Sequence, residues 1–267
     1  MRLRPDILLN SPAIELWPAW LLRARSNADA RLLAQSRWVW RRKRDGRYLA
    51  AVDGSGQVTP MLAELRQQAG YRDALTWAQQ RRFRLAHATH PAVAMPIHGL
   101  AERLAGLGLD ADTYAERSGL ALVAEPDWLA YAGVDRYHRA LWLAAPAVRG
   151  WQQMQAAALA DGLLLEAISG YRSHAYQLGI FERKRARGLG VDEILAVNAA
   201  PGFSEHHSGL ALDIGTPDQP PAEESFETTV AFAWLTRHAA DFGFHMSYPR
   251  DNPHGIVYEP WHWRFAG

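Results

Sequence analysis

Three features of the 267-residue sequence predict an α+β fold, with helices packed on a small, mainly antiparallel sheet. Leu141, Leu143, Val148, Trp151, Met154 and Leu159 recur at the spacing of one helix face. Short runs bounded by turn residues, such as Leu210-Ala211-Leu212-Asp213-Ile214, alternate as partly buried strands do. Trp38 to Arg41 and Tyr48 to Val52 flank Asp45-Gly46, a hairpin signal. No internal repeat or low-complexity segment interrupts this pattern.

Taken in order, Pro18 to about Ala34 reads as a helix, followed by the hairpin and a turn at Gly54-Ser55-Gly56 leading into a short strand. Met61 to about Leu85 reads as one or two helices broken near Gly70. Pro91 and Pro96 punctuate a loop, and Leu100 to Leu120 is helical but weakened by Gly106, Gly108 and Gly119. The sequence divides here into an N-terminal accessory region of unassigned role, 1–125, and a second domain, 126–267. In the second, Tyr137 to Ala160 reads as a long helix kinked or restarted at Pro146. Leu163 to Ile168 is a buried strand, and Ser173 can cap a helix from Tyr176 to Arg187. Ser225 can cap another that runs to about Asp241, and the last strands carry Tyr248 and Ile256 to Phe265.

Composition excludes several function classes. The formal charge is only +1, so no broad basic excess suits nucleic acid. There is no cysteine, which removes disulfides, thiolate ligands and a cysteine nucleophile. A serine nucleophile has no Gly-x-Ser-x-Gly elbow. No segment reaches the roughly 20 apolar residues of a membrane span. Asp6, Pro12 and Glu15 interrupt the N-terminal stretch, so the sequence as given reads as cytoplasmic. A periplasmic or cell-envelope location would require another export route or a misassigned start. Nothing in the sequence sets the oligomeric state.

The chemistry is concentrated in two segments. One is Ser204-Glu205-His206-His207-Ser208-Gly209-Leu210-Ala211-Leu212-Asp213, the other Glu259-Pro260-Trp261-His262. Two imidazoles, a ligating carboxylate and a spare carboxylate are the inventory of a catalytic zinc site: three ligands, an open position and a general base. Zinc bound in this way lowers the pKa of its water to about 7. Glu259 lies three residues before His262, close enough to serve as the base if His262 is a ligand. The other histidines show no second ligand spacing.

The pattern Ser-x-His-x-x-Gly-x-Ala-x-Asp followed by Glu-Pro-Trp-His resembles the D-alanyl-D-alanine zinc metallopeptidases. These include the VanY-like carboxypeptidases, within a wider group holding lysostaphin-type enzymes and the hedgehog fold. Ser169-Gly170-Tyr171-Arg172-Ser173 resembles a third segment of that family, and the likeness runs from about Asp127 to the C-terminus. The resemblance implies that the sheet carries the zinc, with His206, Asp213 and His262 as ligands. It implies Glu259 as base and proton shuttle and Arg172 as the group that stabilises an oxyanion. It further implies Gln177 and Ser204 as residues holding the peptide end, with Tyr171 and Trp261 as apolar walls. His207 follows a ligand without being one.

The implied reaction is hydrolysis of the terminal D-alanine bond of peptidoglycan stem peptides or muropeptides, as a D,D- or L,D-carboxypeptidase. A D,D-endopeptidase or D,D-dipeptidase shares these motifs. A non-catalytic binding module with structural zinc is a further alternative, which the presence of both Glu259 and Arg172 disfavours.

Overall fold

The structure, a computed structural model, describes residues 5–79 and 91–267. The chain forms two compact units. One comprises Met1–Pro96 and Pro126–Tyr131, the other Ile97–Glu125 and Ala132–Gly267. Among the described residues no helix is long and apolar enough to cross a membrane.

The first unit is an antiparallel sheet of β1 (Ile7–Asn10), β2 (Ile14–Pro18), β3 (Ser36–Arg42), β4 (Tyr48–Asp53) and β5 (Val58–Pro60). The start of β6 (Trp128–Val134) extends it, with Ala130 opposite Ile7. The β3–β4 hairpin is as expected, turning through Gly46 in the left-handed region. The helix expected from Pro18 is shorter. Pro18 closes β2, and α1 (Asn27–Gln35) begins only where the Ser26 hydroxyl accepts the Asp29 N–H. Gly70 does precede a helix, α2 (Tyr71–Gln79), but the expected helix from Met61 is replaced by a 3-10 turn at Leu65–Gln67. The remainder of that expected helix, to Leu85, lies outside the described residues.

The second unit opens with two short helices, α3 (Leu100–Ala105) and α4 (Ala111–Ser118), in place of one. Asp110 caps α4 afresh after the glycines, and Gly119 ends it in the left-handed region. Leu100, Leu104 and Tyr114 share a buried cluster with Phe181, Ile194 and Phe203. Because these apolar faces bury there, residues Ile97–Glu125 belong to the second unit, and the compact units do not divide at the expected position 126.

The long helix begins later than expected. Leu141 and Leu143 lie in β7 (Ala140–Leu143), and α5 (Ala145–Ala160) starts after them. Pro146 stands in the first turn of α5, where a missing N–H costs nothing, so it initiates the helix. β8 (Glu166–Ser169) is the expected buried strand, shorter by its first residues. The Ser173 hydroxyl caps α6 (His174–Arg185) by accepting the Tyr176 N–H. A short α7 (Val191–Leu195) follows. β9 (Ala211–Gly215) precedes α8 (Val230–His238), which Thr229 caps in place of Ser225. β10 (Phe244–Met246) and β11 (His262–Phe265) complete a four-stranded sheet in the order β10-β11-β9-β8, antiparallel throughout. Tyr248 and Ile256 to Trp261 lie outside the strands.

Gly170 ends β8 against the backbone. A Cβ there would stand 2.9 Å from the Trp142 carbonyl oxygen and 2.8 Å from Leu141. Gly170→Ala is therefore expected to cost about 1–3 kcal/mol by overpacking. A lowered denaturant midpoint would show it, and an unchanged midpoint would contradict the crowding.

Candidate active site

The second sheet brings the two sequence segments together. Asp213 of β9 sits directly opposite His262 of β11. His206 arrives from a short turn, Glu205–Ser208, which Gly209 terminates at φ 71° before β9 begins. That geometry turns the chain back so that His206 and Asp213 face the same point. All three side chains are buried.

Hydrogen bonds orient both imidazoles. His206 Nδ1 donates to the Gly170 carbonyl at 2.7 Å, which leaves Nε2 as a bare acceptor 3.3 Å from Asp213 Oδ1. His262 Nε2 donates to Glu205 Oε2 at 2.9 Å, and its Nδ1 lies 3.1 Å from the same Asp213 oxygen. The three donor groups lie within 4.8 Å of one another. Two ligands at about 2.1 Å from a tetrahedral ion stand about 3.4 Å apart, so these separations suit one divalent cation.

The electrostatics agree with this assignment. Burial pushes His206 down to about 4, so its imidazole is neutral at pH 7 and available as a ligand. Asp213 is held well below the ordinary carboxylate range: its burial is outweighed by His206 and Arg172. Without a cation His262 is driven to about 10, because the hydrogen bonds to Asp213 and Glu205 outweigh its burial. Two carboxylates around one imidazole form an excess of negative charge that a metal ion would satisfy.

Glu259 is close by. Its carbonyl accepts the His262 N–H at 3.1 Å, and its Oε2 lies 3.8 Å from His262 Nδ1. Burial raises its carboxyl to about 7, the range suited to a base at neutral pH. Arg172 Nη2 donates to Asp213 Oδ2, and its Nε donates to Ser169 Oγ at 2.8 Å. The guanidinium is thus fixed beside the three-residue cluster.

A cavity of about 310 Å³ opens onto this cluster, lined by Arg172, Gln177, Ser204, Glu259 and Trp261 among others. Gln177 Nε2 donates to the Ala199 carbonyl at 2.9 Å. Tyr171 does not line the cavity; its hydroxyl donates to Glu125. Glu125 also accepts the His174 N–H at 2.9 Å, so this buried carboxylate ties down the turn that carries Arg172. His207 is turned away from the cluster. Its Nδ1 donates to the Arg172 carbonyl, and its Nε2 accepts the Gly202 N–H.

Sequence reasoning missed Glu205 and Glu125. The first adjoins His206 in the motif, and alternation along an extended chain would have pointed it away from the site; the 3-10 turn brings it back to His262. Its burial is overcome by the His262 hydrogen bond, which holds it at about 2. Glu205→Gln is expected to weaken metal binding about 10–100-fold, the usual cost of losing a ligand's outer partner. Chelator competition checks this, and an unchanged affinity would deny Glu205 any orienting role.

Residues 140–267 match the VanY family model, described as D-alanyl-D-alanine carboxypeptidase. The putative carboxypeptidase YodJ of Bacillus subtilis is 37% identical over 115 residues, covering 42% of this chain and 41% of its own length. The bifunctional D-Ala-D-Ala dipeptidase and D-Ala-D-Ala carboxypeptidase VanXYC of Enterococcus gallinarum is 32% identical over 109 residues, covering 39% and 56%. The chain thus spans about half the length of these relatives. Among solved structures, the LdcB LD-carboxypeptidase is 33% identical over 47% of this chain and 60% of its own, with a TM-score of 0.44. Just under half of the chain, residues 140–267, is thus similar to the VanY family of D-alanyl-D-alanine carboxypeptidases.

Proposed function

We propose that the protein is a zinc-dependent carboxypeptidase that removes the terminal D-alanine from peptidoglycan stem peptides. The observation that carries this reading is the convergence of His206 Nε2 and His262 Nδ1 on one oxygen of Asp213, with buried Glu259 alongside. Two imidazoles and a carboxylate suit Zn2+ and leave a fourth position open. His206, Asp213 and His262 would hold it. When bound, zinc supplies Lewis acidity toward a carbonyl and a water of lowered pKa.

The chain's own groups perform the rest. Glu259 accepts the proton of the attacking water on its carboxylate and returns it to the leaving amine nitrogen. Its burial places that carboxyl at about 7, so it exchanges protons readily at neutral pH. Arg172, held by Asp213 and Ser169, faces the cavity with donors to spare for a developing oxyanion. Gln177, Ser204 and Trp261 line the space for the peptide end. Tyr171 acts at one remove, through Glu125, by fixing the Arg172 turn. The substrate class is supported by the matched family's description and by the D-Ala-D-Ala activities in the name of the Enterococcus gallinarum relative.

The test is incubation of zinc-loaded protein with pentapeptide, tetrapeptide and cross-linked muropeptides, with products read by mass spectrometry. Loss of one alanine from the pentapeptide establishes D,D activity, and loss from the tetrapeptide establishes L,D activity. Separation of the dimers would replace the carboxypeptidase with an endopeptidase. No cleavage with zinc bound would defeat the reading.

A further inference from the structure

Lys184 lies outside the three motifs, yet it lines the cavity. It follows Gln177 by seven residues on α6, two helical turns along the same face, and both side chains form the cavity wall. Besides the two histidines of the cluster, the cavity is lined by Arg172 and Lys184 and by the carboxyl residues Asp213 and Glu259. Arg172 already gives donors to Asp213 and Ser169, and the proposed reaction takes the rest for the oxyanion. Among the described residues Lys184 makes no ion pair or side-chain hydrogen bond. Burial lowers its pKa, and nearby Glu259 opposes that shift. Lys184 is thus a partly desolvated ammonium whose charge has no fixed partner.

Part of the cavity lining is apolar. Val197, Ala199, Ile256 and Val257 form it, and the Val257 N–H bonds the Ala196 carbonyl at 2.9 Å to hold the two segments together. Val197 and Val257 remain 40% and 41% exposed, ready to cover an alkyl group. At about 310 Å³ the space is at the small end of ligand pockets, suited to a terminal residue. A carboxylate entering beside Glu259 meets like charge, and with Arg172 already shared, a further cation is needed to hold it.

We propose that Lys184 binds the free C-terminal carboxylate of the substrate and so selects chain ends over internal bonds. This rests on the carboxypeptidase reading and gives that site its specificity. The geometry separates the tasks: Arg172 stays with the reacting carbonyl, while Lys184 takes the charge at the end of the peptide.

The test is equilibrium binding of acetyl-D-alanyl-D-alanine, as free acid and as C-terminal amide, to the zinc-loaded full chain carrying Glu259→Ala. The acid is expected to bind about tenfold more tightly than the amide, a difference of about 1.4 kcal/mol. Adding Lys184→Gln should abolish that preference, and Lys184→Arg should retain most of it. An equal preference with glutamine at this position would overturn the proposal, as would no preference in the parent. Hydrolysis of the same acid by the wild-type chain separately tests the carboxypeptidase reading. Loss of hydrolysis with acid preference intact would leave Lys184 as a carboxylate site and remove only the reaction.

Discussion

Glu259→Ala is expected to lower turnover of a muropeptide substrate by about 10²–10⁴-fold, with metal content unchanged. Glu259 lies outside the three-residue metal cluster, so its removal deletes no ligand. What is lost is a buried carboxyl beside the cluster, raised by burial to about 7, to which the proposed reaction gives the proton. Glu259→Gln keeps the shape and should be nearly as inactive, which separates proton transfer from packing. Single-turnover kinetics with metal analysis on the same sample reads both quantities. A variant with wild-type turnover would take Glu259 out of the mechanism.

His206→Ala is expected to act earlier, on the metal itself. Only Asp213 and His262 would remain of the three donors, and affinity should fall further than the roughly 10–100-fold that an outer partner costs. The Gly170 carbonyl would also lose its donor, at a cost of about 1–3 kcal/mol if no water replaces it. Metal analysis after dialysis checks the first effect, and circular dichroism verifies that the variant is folded. One tightly held zinc per folded chain would show that the ligands lie elsewhere.

The three residues that the structure brings together, His206, Asp213 and His262, could be picked out in the sequence because they lie in short segments. His206 and Asp213 share one turn and strand, and Glu259 is bound to His262 by a local hydrogen bond. Arg172 could be singled out only through the family resemblance of the Ser-Gly-Tyr-Arg segment, because a lone arginine reads as a surface ion pair. Tyr171 was expected as an apolar wall, but its hydroxyl is taken by Glu125, 46 residues earlier in the chain, a pairing that no local spacing encodes. The fold was readable where a strong local signal stood alone, as at Asp45-Gly46 and Ser173. It was misread where two signals competed. Leu141 and Leu143 fit a helix face extended from Val148, but Pro146 restarts the chain and leaves them to a strand. Ser225 and Thr229 both offer a capping hydroxyl, and only Thr229 receives the backbone N–H.

The division of the chain has a consequence for how the protein is made. Pro126–Tyr131, which extends the first unit's sheet, is encoded after Ile97–Glu125, which belongs to the second. A ribosome therefore delivers the first helices of the second body before the last strand of the first. The N-terminal sheet must wait with one edge uncovered, and α3 and α4 must wait longer for Phe181 and Phe203. The two bodies are interleaved in order of synthesis, so no single cut in the gene releases either one intact. A fragment begun at Pro126 would also leave Glu125 behind, and with it the anchor of the turn that carries Arg172.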